Sequence, residues 1–581
     1  MRMSFKIKKV GCALALLPLF SYAQAQKDQP NIVLILADDM GWGDINANVN
    51  PVIETPVLNQ LAKQSMELRQ FYACPLSAPT RAEMLTGRYF LRTGVSSVTQ
   101  GYENLDPNET TIAEILKNHG YATGCFGKWH NGAYFRNHPN RQGFDEFFGF
   151  LMGHLGYYYD AIYRHNDEDV ATKGYSTDFF TQTAIGFIEQ NKAKPFFCYI
   201  PYNVPHSPFQ VPEKYFNKYK SKGLDNELAS VYGMVENMDT NIGLVLTKLE
   251  QLNLRKNTIV IFLSDNGPNT VRYNGNMKGK KGSVDEGGIR VPFYISWPGV
   301  IQPGVNDQLA QDIDLLPTLV KLCSISEKHS LPVDGMDLSG IIMKKSKPQN
   351  RYIFSRQGHY PLNKASGSVR DNRYRLVVSA KDTLLFDLEN DPSQKVNIAN
   401  QPAVKSRLVG EYLKWEKEML AVYRPQTTIE AGFAEEKAIT LPVQDAILSG
   451  AVKYSSIHPN QSHTENWIRN GDSIFWKLDM QQPGNYKLQI QYGCAAADIG
   501  SRFLFRSSLT SLQFKMDKVF DSVVLPDRDY VVRSESVERT WSWMDAGNVS
   551  LGKGGETLVL KLAEKKSGDA GLIKAIRLTK I

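Results

Sequence analysis

From Gln29 to about Trp297, short runs of consecutive apolar residues alternate with stretches whose apolar positions recur at helical spacing. Asn31–Ala37 (Asn-Ile-Val-Leu-Ile-Leu-Ala) carries no polar residue after its first, which predicts a strand buried on both faces. Residues 121–126, 195–200, 258–263 and 291–296 read as further strands. Between them, Thr55-Pro56 predicts a helix opened by a cap and a first-turn proline, with Leu58, Leu61 and Ala62 on one face. Thr111-Ile-Ala-Glu114 is a capping box for a helix ending at Gly120. Strands that alternate with helices predict an α/β domain around a mostly parallel sheet covered on both sides, with 312–323 as a closing helix.

The pattern then changes twice. Residues 351–386 hold short antiparallel-looking strands (374–378, 383–386), and 411–419 a late helix. This predicts a smaller α+β subdomain over 326–430, packed on the domain 26–325. Residues 424–442 read as a linker. Over 440–581, alternating strands such as 473–478, 486–492 and 557–562 are separated by Pro483-Gly484-Asn485 and by the glycines of 552–555, which predicts a β-sandwich accessory domain. Trp467, Trp476, Trp541 and Trp543 suit either its core or a sugar-stacking surface.

A chain of 581 residues is long enough for several cores, and 42% hydrophobic with 22% charged residues excludes a disordered or fibrous protein. The first 25 residues differ from the rest: Arg2, Lys6, Lys8 and Lys9, then an apolar run over 10–20, then Ala23-Gln24-Ala25. This is the layout of a secretory signal peptide, too short to span a bilayer, and it predicts an exported chain without a transmembrane segment. Its removal takes four basic residues and no acids, lowering the formal net charge from +7 to +3. With no basic block elsewhere, nucleic acid is not an expected partner. Cys74, Cys125, Cys198, Cys323 and Cys494 are scattered and odd in number, which fits core residues better than a disulfide framework or a zinc site.

Reactive residues follow the strand candidates closely: Asp38-Asp39 the first, Lys128 and His130 the second, His206 the third, Asp265-Asn266 the fourth. In an open α/β sheet the carboxyl ends of parallel strands share one edge, where ligands bind. A helix cap explains any one of these sets alone, but not their recurrence. Asp38, Asp39, Asp265 and the amide of Asn266 offer only oxygen ligands, which suits a hard cation, Ca²⁺ before Mg²⁺. Lys128, His130, His206 and Lys281 are positioned to hold a tetrahedral oxyanion beside it.

The segment 74–88, Cys-Pro-Leu-Ser-Ala-Pro-Thr-Arg-Ala-Glu-Met-Leu-Thr-Gly-Arg, resembles the signature of the formylglycine-dependent sulfatases, in the alkaline-phosphatase-like superfamily. In that signature a Cys or Ser that begins x-Pro-x-Arg is oxidised to formylglycine, and Ser77 fits the spacing where Cys74 does not. The resemblance extends through Asn-Ile-Val-Leu-Ile-Leu-Ala-Asp-Asp (31–39), Gly-Lys-Trp-His (127–130), Pro-His-Ser-Pro (205–208), Ser-Asp-Asn-Gly (264–267), 281–292 and 385–392. It implies a sulfuric ester hydrolase with one Ca²⁺ held by Asp38, Asp39, Asp265, Asn266 and the modified Ser77. It further implies that the hydrated aldehyde forms a covalent sulfo-enzyme, that Arg81 holds the hydrate, and that Lys128 and Lys281 bind sulfate oxygens. His206 stands as acid and His130 as base, in either order. The serine form is similar to bacterial enzymes matured by a radical S-adenosylmethionine formylglycine-generating enzyme, and implies the periplasm or cell surface.

Export and the extra sandwich point to a sulfated carbohydrate (glycosaminoglycan, mucin or algal glycan) rather than an aryl sulfate. His154, Arg272 and His359, in the segments 134–138, 153–159, 270–276 and 357–359, are candidate sugar contacts. Three other readings stand beside this one: a broad arylsulfatase, a phosphatase or phosphodiesterase of the same superfamily, and a non-catalytic glycan-binding protein.

Overall fold

The structure is a computed structural model that describes residues 29–326, 331–357, 365–566 and 568–581. The proposed signal peptide and His359 lie outside them. At its centre is a ten-stranded sheet in the order Gly304–Asn306, Met66–Leu68, Phe293–Ser296, Thr258–Ser264, Asn31–Ala37, Phe196–Pro201, Ala122–Lys128, Glu146–Phe150, Ile162–His165, Glu168–Ala171. The five strands from Thr258–Ser264 to Glu146–Phe150 run parallel. Phe293–Ser296 is antiparallel to both its neighbours.

The uninterrupted apolar run of Asn31–Ala37 has the predicted cause. Val33, Ile35 and Ala37 pack into one core, with residues of the helices Pro56–Lys63, Ser176–Gln190 and Asn226–Gln251. Ile32, Leu34 and Leu36 pack into the other, with Ile112–Asn118 and Leu315–Leu322. The capping box at Thr111 and Glu114 forms as expected. Thr55, by contrast, makes no cap: the first amides of that helix, Val57 and Leu58, donate instead to the Asp239 carboxylate at 3.0 and 2.7 Å.

A four-stranded antiparallel sheet, Ile353–Arg356 to Thr383–Asp387, packs under the helix Pro402–Val422, which starts well before the expected 411. Two six-stranded sheets then form a sandwich. The segment read as a linker is part of it: Ile429–Ala431 pairs with Ser473–Met480 and Ala438–Pro442 with Leu572–Lys580. Its alternating Ile429, Ala431, Ile439 and Leu441 are buried in the sandwich core, a pattern too short to stand out among the prolines and charges around it. Trp467 and Trp476 are core residues. Trp543 lies under Arg577 and lines an interdomain cavity of about 740 Å³.

Candidate active site

Because Ala37 sits opposite Ser264 in parallel register, the chain leaves both strands side by side. Asp39 takes a left-handed φ of 65°, and its amide donates to Asp265 Oδ1 at 3.1 Å. Asp38, Asp39 and Asp265, all buried, each bring one oxygen to within 4.8 Å of the others. Asn266 donates to Asp39 Oδ1 at 2.8 Å, leaving its own oxygen toward the group.

Ser77 opens the helix Ser77–Thr86, every residue of which is buried. Its Oγ lies 3.2 Å from Asp38 Oδ1 and 3.3 Å from Asn266 Oδ1, at the positive end of the helix dipole. The turn into this helix is pinned by Thr80, whose hydroxyl accepts from the Cys74 amide at 3.0 Å and donates to the Asp265 carbonyl at 2.6 Å. One turn on, fully buried Arg81 donates to Asp265 Oδ2 at 2.8 Å and to the Lys128 carbonyl at 2.9 Å.

Two lysines close over the carboxylates: Lys128 Nζ donates to Asp38 Oδ2 at 2.7 Å, and Lys281 Nζ lies 2.6 Å from Asp39 Oδ1. Burial opposes ionisation of Asp38, yet Lys128, His206 and Arg81 outweigh it and hold the carboxyl at about 2. Asp39 is also held below its ordinary value, by Lys281 and His206 against burial. His206 directs Nδ1 at the Ser207 carbonyl, 2.7 Å away, and Nε2 toward Asp39 Oδ2 at 3.7 Å. His130 places Nε2 3.0 Å from the Val98 carbonyl, so that nitrogen carries the hydrogen and Nδ1, buried without a partner, is the free acceptor. Burial, then the charge of Lys128, pushes the His130 ring well below its ordinary value and keeps it neutral.

Three carboxylates and an amide oxygen, with Asp39 Oδ2 buried and without a hydrogen-bond donor, fit a divalent cation that prefers oxygen ligands. The second buried group, Cys74 with Glu83 and Asp312, is a poorer match, because one of its three donors is a thiol and burial pushes all three up, against the charged forms that a cation needs. His154 is buried at the edge of the site, its ring centre 5.4 Å from that of His206. Arg272 is not at the site surface. Its side chain is 1% exposed and clamps Asp44 and the Asp39 carbonyl. The segment 134–138 likewise faces the sandwich, through Tyr134 to Asp445 and Arg136 to Glu430. One residue that no local pattern marks does reach the site: Glu535 of the sandwich accepts from Ser207 Oγ at 2.5 Å.

Residues 30–325 match the family model of the sulfatases. The chain belongs to the sulfatase family. A second model, the C-terminal region of N-sulphoglucosamine sulphohydrolase, matches residues 280–419 of this sulfatase. Mouse N-acetylgalactosamine-6-sulfatase is 33% identical over 386 residues, 60% of this chain and 72% of that protein. Human arylsulfatase G is 27% identical over 506 residues, 73% and 94% of the two chains. Among solved structures, Ps i-CgsB in complex with k-i-k-neocarrahexaose superposes with a TM-score of 0.65 at 28% identity, over 68% of this chain and 95% of that one. The sulfatase is therefore a sulfuric ester hydrolase on an alkaline-phosphatase-like α/β scaffold.

Proposed function

We propose that this sulfatase removes sulfate esters from carbohydrates, using Ser77 oxidised to formylglycine and one Ca²⁺ held by Asp38, Asp39, Asp265, Asn266 and residue 77. The observation that carries the reading is the position of Ser77 Oγ, at a helix N-terminus and within 3.3 Å of oxygens of both Asp38 and Asn266. When bound, the cation polarises the sulfate and lowers the pKa of the attacking hydroxyl. Oxidation and hydration of Ser77 supply two hydroxyls on one carbon, one to attack sulfur and one to expel sulfate as the carbonyl re-forms. Arg81 holds the hydrate with a charge that burial keeps free of water. Lys128 and Lys281 meet the sulfate oxygens as negative charge builds on them. Neutral His130, with Nδ1 free, suits the base of the elimination step, and His206, nearer solvent, suits the acid that protonates the leaving alcohol.

A carbohydrate substrate is supported by the names of the relatives, one an N-acetylgalactosamine-6-sulfatase and one solved with k-i-k-neocarrahexaose. Export rests on the layout of residues 1–25, and maturation by a radical S-adenosylmethionine enzyme on serine standing at position 77. No helix among the described residues is long and apolar enough to cross a membrane.

Two measurements test the proposal. Intact mass of the Ser77 peptide, from protein co-expressed with the maturase, is expected to show the loss of two hydrogens. Desulfation assays on sugars sulfated at defined positions are expected to find turnover. A Ser77 left unmodified in the natural host rejects the formylglycine assignment, and turnover of p-nitrophenyl sulfate alone rejects the carbohydrate.

A further inference from the structure

The connection 516–541 crosses from the sandwich strand Ser511–Lys515 in one sheet to Ser542–Leu551 in the other, and is far longer than most connections between elements. It lies outside both family matches, 30–325 and 280–419. Its base is a two-stranded stem, in which the Leu525 amide bonds the Glu538 carbonyl and the Thr540 amide the Val523 carbonyl. Its tip leaves the sandwich and docks on the catalytic domain. Tyr530 stacks on Phe216 with ring centres 3.6 Å apart, and Gln210 donates to Asp529 at 2.7 Å. Arg533 is gripped by Asp529 and donates to the Gly156 carbonyl at 2.6 Å.

These contacts fix the arm on the loop that carries His154 and on the turn that carries His206. Glu535 is the residue they deliver. Its carboxylate accepts from Ser207 Oγ at 2.5 Å, and the Ser207 carbonyl in turn faces His206 Nδ1. From Asp39 the order of contacts is His206, Ser207, Glu535, so the carboxylate lies beyond His206, on the side of the proposed acid. Half-buried, with the Ser534 amide 3.2 Å from its other oxygen, it retains lone pairs to accept a further donor.

We propose that this arm is the outer wall of the ester pocket, and that Glu535 is a specificity-determining residue that accepts a hydrogen bond from a hydroxyl or amide N–H of the sugar. The assignment rests on the carbohydrate reading above. A carboxylate here also repels a second anionic group beside the scissile sulfate, so the pocket favours a sugar whose neighbouring position is unsulfated.

The test uses the full-length, matured enzyme with singly and doubly sulfated monosaccharides and with p-nitrophenyl sulfate. Glu535→Ala is expected to raise KM for the singly sulfated sugar about tenfold, the scale of one charge-assisted hydrogen bond, with kcat and p-nitrophenyl sulfate turnover within about twofold. Glu535→Gln, which keeps the shape and an acceptor but not the charge, is expected to recover about threefold of that KM and to gain on the doubly sulfated sugar. A sugar KM that moves less than twofold in Glu535→Ala overturns the proposal. An equal loss on sugar and aryl substrates also overturns it, because it assigns Glu535 to the support of His206. A wild type that is active only on p-nitrophenyl sulfate instead defeats the carbohydrate reading beneath it.

Discussion

His130 and Gly153 press on each other so closely that the glycine has a steric reason. A Cβ built on Gly153 falls 2.1 Å from His130 Nε2, well inside contact distance. The ring has little freedom to retreat, because Nε2 is bonded to the Val98 carbonyl and His130 itself sits at a φ of 61°. Gly153→Ala is therefore expected to displace the ring and lower kcat on the order of 100-fold, while overpacking costs about 1–3 kcal/mol and lowers the melting temperature by a few degrees. An unchanged kcat removes His130 from the chemistry. Below the site, Cys74, Glu83 and Asp312 show why Cys74 is a poor nucleophile: burial, then the two carboxyls, push its thiol well up. Burial also lifts Glu83 from 4.5 to about 7, and Asp312 well above its ordinary value. The native pair thus binds more protons than the unfolded chain between these values. The share of Glu83 in the resulting stabilisation is complete below pH 4.5 and is lost as pH rises through about 7. Melting curves of wild type against Glu83→Gln from pH 4.5 to 8 are expected to show the wild type losing ground to the variant; parallel pH profiles contradict the raised value of Glu83.

Whole elements are set partly by local sequence and partly by distant partners. The site strands were legible because each apolar run ends abruptly in a polar residue, and parallel pairing then puts those ends on one edge. The helix Ile112–Asn118 was legible because its cap lies within four residues of itself. The helix Pro56–Lys63 starts where the sequence places it, with Pro56 in its first turn, but Thr55 does not supply the cap bond, because the first amides are satisfied from the long helix Asn226–Gln251, about 180 positions away. No local spacing encodes such a bond. Asp239→Ala strands two amides and is expected to cost about 1–2 kcal/mol, the scale of a lost cap, lowering the melting temperature by a few degrees. Thr55→Ala, whose hydroxyl accepts from the Asn46 amide at 3.0 Å and from no amide of the helix, strands one amide rather than two and is expected to cost less. The reverse ranking in thermal melts restores Thr55 as the cap.

At the scale of the molecule, three units meet through charges that sequence reading left unassigned. Arg370 and Arg375 of the small sheet converge on Glu286 Oε1 at 3.2 and 2.7 Å, five residues beyond Lys281, so the subdomain braces the loop that brings that lysine to Asp39. Arg272 was misassigned for a related reason: an arginine in a loop near the site reads as a sugar contact, and only the fold shows that its partner is Asp44. The arm 516–541 was invisible because the pairing of Glu535 with Ser207 spans 328 positions. The carboxylate group itself is where these scales meet. Asp38 and Asp39 follow one strand and Asp265 another, Ser77 comes from a helix, and Lys128 and Lys281 pair with Asp38 and Asp39. A cation that binds this arrangement only in the folded chain stabilises the fold by mass action, by about 2.7 kcal/mol at a free concentration of a hundred times its Kd. Chelation is therefore expected to lower the melting temperature even in protein whose Ser77 was never modified, a readout independent of turnover. Adding Ca²⁺ back is expected to raise it with the logarithm of concentration, more than Mg²⁺ does, because the larger ion accepts irregular oxygen ligation. Asp39→Asn, which weakens one ligand, is expected to shift that response to higher Ca²⁺. A melting temperature indifferent to millimolar Ca²⁺ in the wild type leaves the carboxylates as partners of Lys128 and Lys281 alone, and removes the metal from the proposed chemistry.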